Sequence, residues 1–224
     1  MIKFCLMALA SLMLISTAAF ATPAACLPGT LDTYLTPSFS CSINALTFGA
    51  WSYASATVPS TAIEVTPITT LGYEGFNFNT LWTVNNTTGG GLMTEDSTIG
   101  FTAAGPGITD LELSFNGSFT GTGSANVSET YCFNHPVAGC ASGPSNGGQI
   151  QVTNPPPTFS DVVFFSPQTS ISVLKDIGVS TGSGFGSASI SQVTNQFSSP
   201  EPLSFVLLGS GLLGLGLLRK RISR

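Results

Sequence analysis

The sequence predicts an all-β fold: an antiparallel β-sandwich or jelly-roll-like ectodomain, with an N-terminal signal helix and a C-terminal transmembrane helix. Three observations predict it. Between residues 22 and 197 no helical period lasts longer than about two turns. Short alternating or apolar runs recur there, separated by Gly, Pro or Asn. The two ends are apolar runs flanked by basic residues, unlike anything between them.

In chain order, the first helical hint is Thr30, placed to cap a single turn carrying Leu31, Tyr34 and Leu35. Phe76, Phe78, Trp82 and Val84 then share one parity, with Asn77, Asn79 and Thr83 on the other. Leu111, Leu113 and Phe115 alternate with Asp110, Glu112 and Ser114, giving one apolar and one acidic face. Asn116-Gly117 reads as a turn closing a hairpin into Phe119. Residues 162–165 are apolar on both faces and predict a central, doubly covered strand. Further strands are expected over 45–53, 62–66, 98–103, 125–133, 149–153, 170–173 and 187–193, about ten in all. Asn154-Pro155-Pro156-Pro157 is expected to be a stiff connection between sheets, and 178–186 a loose loop. Crossover helices are missing, which excludes a parallel α/β fold.

Charge narrows the function classes. Charged residues make up 8% of the chain and only six are Lys or Arg, which excludes an ordinary nucleic-acid binder. Lys3 lies at one end and Arg219, Lys220, Arg221 and Arg224 at the other, so Lys175 is the only base in the body, against ten acids. That acidity disfavours direct binding of anionic polysaccharide unless cations bridge the two.

Residues 1–21 read as a secretory signal peptide. Lys3 supplies the positive region, 6–15 the apolar run, and Ala19 and Ala21 the small residues that signal peptidase inspects. The apolar run is short for a permanent anchor, and Pro23 stands where a lipidation site at Cys26 would want a Leu-like residue.

Residues 198–224 hold Pro200-Glu201-Pro202, the apolar run 203–218 and the stop-transfer cluster Arg219-Lys220-Arg221. Sixteen helical residues span about 24 Å, a little less than the roughly 30 Å of a hydrocarbon core, and long basic side chains reaching the headgroups make up the deficit. The basic cluster stays cytoplasmic, so the body lies on the far side of the membrane. Pro-Glu-Pro, a Leu/Gly-rich segment and a terminal basic patch together resemble the PEP-CTERM sorting signal of Gram-negative bacteria. The resemblance implies processing by an exosortase near Pro200-Glu201-Pro202, a transient inner-membrane anchor, and delivery to the cell surface or the exopolysaccharide matrix. A plain single-span anchor is the rival reading. In the body, Cys26-Leu27-Pro28-Gly29-Thr30-Leu31, Cys41, Leu46-Thr47-Phe48, Lys175-Asp176-Ile177-Gly178-Val179 and Val193-Thr194-Asn195-Gln196-Phe197 are similar to surface-sorted proteins of acidobacterium-like genomes. That looser likeness implies an all-β ectodomain and no particular activity.

Cys5 belongs to the signal peptide, which leaves Cys26, Cys41, Cys132 and Cys140 for an oxidising compartment. Of the three pairings, closure of short loops favours Cys26–Cys41 and Cys132–Cys140. A metal site is disfavoured because no Cys-x-x-Cys occurs and His135 is the only histidine.

No catalytic constellation emerges. Residues 178–182 match a nucleophile-elbow pattern around Ser180, with no helix after it and His135 as the sole base. Residues 209–214 match a dinucleotide fingerprint, but within the membrane run. Glu95-Asp96 and Asp110/Glu112 are the available carboxylate clusters. These clusters are read as solvated surface acids, with Ca²⁺ at a Glu95-Asp96 loop the alternative. Asn85, Asn86, Asn116 and Asn126 each open an Asn-x-Ser/Thr triplet and are read as turn chemistry. Trp51, Tyr53 and Trp82 are expected in the core, although exposed aromatics would stack on sugars.

The function expected is therefore that of a surface-sorted structural or interaction protein of the envelope or exopolysaccharide matrix, without cofactor, metal or catalytic residues. A carbohydrate-binding module is the alternative, marked by a row of exposed aromatics on one sheet or a loop Ca²⁺, and a secreted hydrolase is the third reading.

Overall fold

The computed structural model describes residues 23–88, 91–139 and 146–199. The signal peptide with Ala19 and Ala21, Cys140, Pro200-Glu201-Pro202, the run 203–218 and Arg219-Lys220-Arg221 lie outside them. Among the described residues no helix is long and apolar enough to cross a membrane.

Among the described residues, ten strands and one α-helical turn carry the fold: β1 (Gly29–Thr30), α1 (Leu31–Tyr34), β2 (Ser40–Ile43), β3 (Leu46–Ser55), β4 (Glu64–Thr70), β5 (Tyr73–Asn86), β6 (Thr94–Gly121), β7 (Ser124–Phe133), β8 (Gly147–Asn154), β9 (Ser160–Ser180) and β10 (Gly186–Ser198). Every pairing between them is antiparallel. In hydrogen-bonded order they run β1-β4-β5-β10-β6-β9-β7-β8, with β3 joining β2 to β6.

Two long strands make a sandwich of this path. The first half of β6 pairs with β3 and with residues 170–180 of β9, whereas its second half pairs with β10 and residues 160–168 of β9. The register shifts between Ala104 and Ile108, at Gly105-Pro106-Gly107. Gly107 has φ +72°, a conformation that costs glycine little and other residues more. Aromatic rings then interlock between the halves. Phe76 and Phe78 of β5 and Phe197 of β10 meet Phe48 of β3 and Phe101 of β6, with centroids 4.8–6.2 Å apart. Trp82 is fully buried, its Nε1 donating to Ser97 Oγ at 3.1 Å.

Several sequence expectations hold. The parity of Phe76, Phe78, Trp82 and Val84 is buried, as are Leu111, Leu113 and Phe115. The helical turn forms with Leu31 and Tyr34 inside, although the Thr30 side chain makes no capping bond. The proline run connects β8, which pairs with β7, to the part of β9 that pairs with β6.

Others need correction. The strands are fewer breaks and longer runs than expected, because β6 absorbs 98–103, 110–115 and Phe119 into one strand. Asn116-Gly117 is no turn. Neither residue has the positive φ that a type I′ turn requires, and both pair with β10, at Gln192 and Ile190. The chain reverses instead at Gly121-Thr122-Gly123, where Gly121 has φ +58°. Residues 178–180 belong to β9, which shrinks the expected loop to 181–185. Residues 162–165 are covered on one face only: Val162 and Phe164 point outward, 46% and 75% exposed. Their apolarity resembles that of a buried strand, yet this part of β9 pairs with β6 alone.

Cys26 and Cys41 are joined by a disulfide, tying the segment before β1 to β2. Cys132 is also disulfide-bonded. These bonds fit an oxidising, extracytoplasmic environment.

Candidate functional site

The outward face of β4, β5, β10, β6 and β9 carries polar rows across the strands. Thr194 donates to Asn77 Oδ1 at 2.7 Å, and Gln192 Nε2 to Asn79 Oδ1 at 2.8 Å. Further along the same face, Glu112 lies opposite Gln196 and Val162, and Asp110 opposite Ser198 and Phe164. Tyr73 stands at the start of β5, paired with Thr70. Here the face opens into a trough of 350 Å³ lined by Tyr73, Asp110, Glu112, Ser160, Asp161, Val162 and Phe164.

Local structure sets each of these side chains. Tyr73 follows a two-residue turn, Leu71-Gly72, whose Gly72 has φ +83°. Glu74, buried just behind it, holds that turn: Oε1 accepts from Gly72 N at 3.2 Å and Asn44 Nδ2 at 3.0 Å. Tyr73 is left 54% exposed. Asp110 Oδ1 accepts from Ser198 N at 2.9 Å, which pins its carboxylate at the trough's end. Asp161 Oδ2 accepts from Gln151 N at 3.0 Å, fixing the start of β9 against β8. The result is a trough with exposed aromatic rings at Tyr73 and Phe164 and three carboxylates, Asp110, Glu112 and Asp161, lining it. Such a surface offers apolar faces to C–H groups and strong acceptors to hydroxyls.

The other sequence candidates do not assemble. A larger cleft of 550 Å³ is lined by residues 54–57 and 94–98, including Glu95 and Asp96, but it has no aromatic wall. Glu95 and Asp96 lie within β6 and not on a loop, and Glu95 Oε1 accepts from Thr83 N at 3.1 Å. Asp96 faces Asp176 of β9, whose carboxyl is pushed up to about 6 by burial and by the hydrogen bond and charge of Asp96. Among the described residues no group of three His, Cys, Asp or Glu could hold a metal ion. Ser180 Oγ accepts from Gly182 N at 3.1 Å in the turn after β9, and no helix follows. His135 is exposed beyond the end of β7. Trp51 is half-buried and stacks on Phe101 at 4.7 Å, and Trp82 is fully buried, so both pack with the core. Of the four asparagines, Asn86 does turn chemistry, its Oδ1 accepting from Thr88 N at 3.3 Å; Asn85, Asn116 and Asn126 lie inside strands.

Two acids outside those clusters, Glu74 and Glu129, are buried. Glu129 of β7 is completely enclosed with Lys175 of β9, Oε2 to Nζ 2.8 Å. Asn195 of β10 completes the group from the opposite layer. Its Oδ1 accepts from Lys175 Nζ at 2.9 Å, and its Nδ2 donates to Glu129 Oε1 at 3.0 Å and to Glu112 O at 3.1 Å. Nζ also lies 4.4 Å from the centroid of the Phe101 ring and 5.5 Å from that of Phe78. Burial raises the Glu129 carboxyl and lowers the Lys175 amine, each toward its neutral form, while their mutual attraction opposes both shifts. Sequence reasoning missed this cluster. Its only signal was that Lys175 is the sole base of the body, set among alternating apolar residues.

No protein-family model and no curated protein matches the chain. Among solved structures it is similar to TmCBM61 in complex with β-1,4-galactotriose, at 9% identity, TM-score 0.34, covering 65% of this chain and 87% of that one. It is similar also to the enzymatically active domain of bacteriophage CBA120 tailspike protein 4, at 14% identity and TM-score 0.26, over 65% of this chain and 19% of that one. A third likeness is to TmCBM27, a carbohydrate-binding module with specific mannan recognition, at 10% identity and TM-score 0.21, over 69% and 99% of the two chains.

Proposed function

We propose that the protein is an exported, surface-sorted β-sandwich that acts by binding and not by catalysis. Its trough between Tyr73 and Phe164 contacts a neutral polysaccharide of the envelope or matrix. The trough carries this reading: exposed Tyr73, Val162 and Phe164 supply stacking surface, and Asp110 and Glu112 supply hydroxyl acceptors. The same carboxylates disfavour an anionic chain. The address rests on the termini. A signal peptide cut after Ala21, and exosortase processing near Pro200-Glu201-Pro202 at the inner membrane, would deliver a disulfide-bonded body to the surface.

Affinity electrophoresis of the folded full chain through gels containing neutral or acidic polysaccharides tests the binding. Retardation by a neutral polymer, lost in Tyr73→Ala/Phe164→Ala, is expected. Retardation unchanged in that variant, or absent with every polymer, refutes the trough. Fractionation of cells with and without the sorting enzyme, with mass mapping of the C-terminus, tests the address: residues 203–224 retained in competent cells would refute processing.

A further inference from the structure

We infer that Lys175 and Asn195 are joined, after folding, by an intramolecular amide bond that staples the two layers of the sandwich. The requirements for this reaction are an amine beside a carboxamide carbonyl, a proton carrier touching both nitrogens, and no water. All of them are met in the cluster at Glu129. Lys175 Nζ donates to Asn195 Oδ1 at 2.9 Å, which holds the amine beside the carboxamide carbon it must attack. Glu129 spans the reacting groups, with Oε2 on the amine at 2.8 Å and Oε1 on the amide nitrogen at 3.0 Å. All three side chains are fully buried.

The chemistry balances without any further reagent. In this enclosure the ammonium passes a proton to the carboxylate, which leaves a nucleophilic amine and a neutral carboxyl; desolvation favours both neutral forms. The Nζ lone pair then bonds to Asn195 Cγ. One further Nζ proton is carried by Glu129 to Nδ2, the Cγ–Nδ2 bond breaks, and ammonia leaves. Glu129 remains protonated beside the new amide, so no charge stays buried. Phe78 and Phe101, which hold Nζ over their faces, keep water from competing.

Nothing but the fold brings these atoms together. Lys175 and Glu129 are paired across β9 and β7, and Asn195 comes from β10 in the other layer. Gly75 lets it sit there, since a Cβ at that position would lie 1.9 Å from the Asn195 carbonyl oxygen.

The test is a digest of the purified full chain, denatured and reduced. Lys175 is the only trypsin site within residues 22–197, so the linked protein resists tryptic cutting there. A second protease should yield a branched peptide joining the segments of Lys175 and Asn195, lighter than its two parts by one ammonia. Glu129→Gln should fold, be cut at Lys175 and keep its ammonia. Should that variant not fold, wild-type chain recovered unfolded serves instead, with the link expected only after refolding. Complete tryptic cutting at Lys175 in folded wild-type protein would overturn the proposal. So would ammonia loss confined to a succinimide at Asn195, a link in Glu129→Gln, or a link in chain that had never folded.

Discussion

Glu129 and Lys175 face each other across the β7–β9 ladder, carboxylate to ammonium 2.8 Å, with no solvent on either. An ion pair so enclosed contributes little net stability over an apolar pair, but losing one member strands the other. Lys175→Met should therefore be less stable in urea titration than Lys175→Met combined with Glu129→Leu, by about 3–5 kcal/mol. Neither variant can form the amide link, so their difference reads the stranded carboxyl alone.

Asp176 titrates abnormally for a reason independent of that pair. Its carboxyl is raised to about 6 by burial and by Asp96, above the ordinary value near 4. The folded state thus holds a proton that the unfolded chain releases, and stability falls as pH rises through this window. Asp176→Asn should raise Tm at pH 7, and the gain should shrink toward zero near pH 4. An advantage equal at both pH values would dissociate the shift from this carboxyl.

Phe164 and Trp82 are large aromatic residues in contrasting settings. Phe164 is 75% exposed and Trp82 fully buried. Phe164→Ala should leave stability within about 0.5 kcal/mol while removing polysaccharide retention. Trp82→Ala should cost about 3–5 kcal/mol and also leave Ser97 Oγ without its donor. Thermal and urea unfolding measure both.

The Cys26–Cys41 disulfide closes a segment of separation 15, for which chain entropy gives about 3 kcal/mol. Cys26→Ser/Cys41→Ser should show that loss in urea, concentrated in opening of β1, α1 and β2. Hydrogen exchange would locate it, and uniform loss across all strands would contradict local tethering.

Alternation and turn chemistry alone determined the all-β class, the buried parity of Phe76, Phe78 and Trp82, and the apolar stripe Leu111-Leu113-Phe115, because a strand's two faces are written into every second residue. The cysteine spacing likewise favoured Cys26–Cys41. The tertiary structure decided what depends on neighbours in space. β10 on one side turned Asn116-Gly117 from a turn into mid-strand, and the lack of a second sheet over residues 162–165 left an apolar strand with one face exposed. It also decided that Glu129 and Asn195 meet Lys175. They stand 46 and 20 positions from it, distances at which one-dimensional pattern holds no signal, while a buried charge must find its partner wherever the packing supplies one.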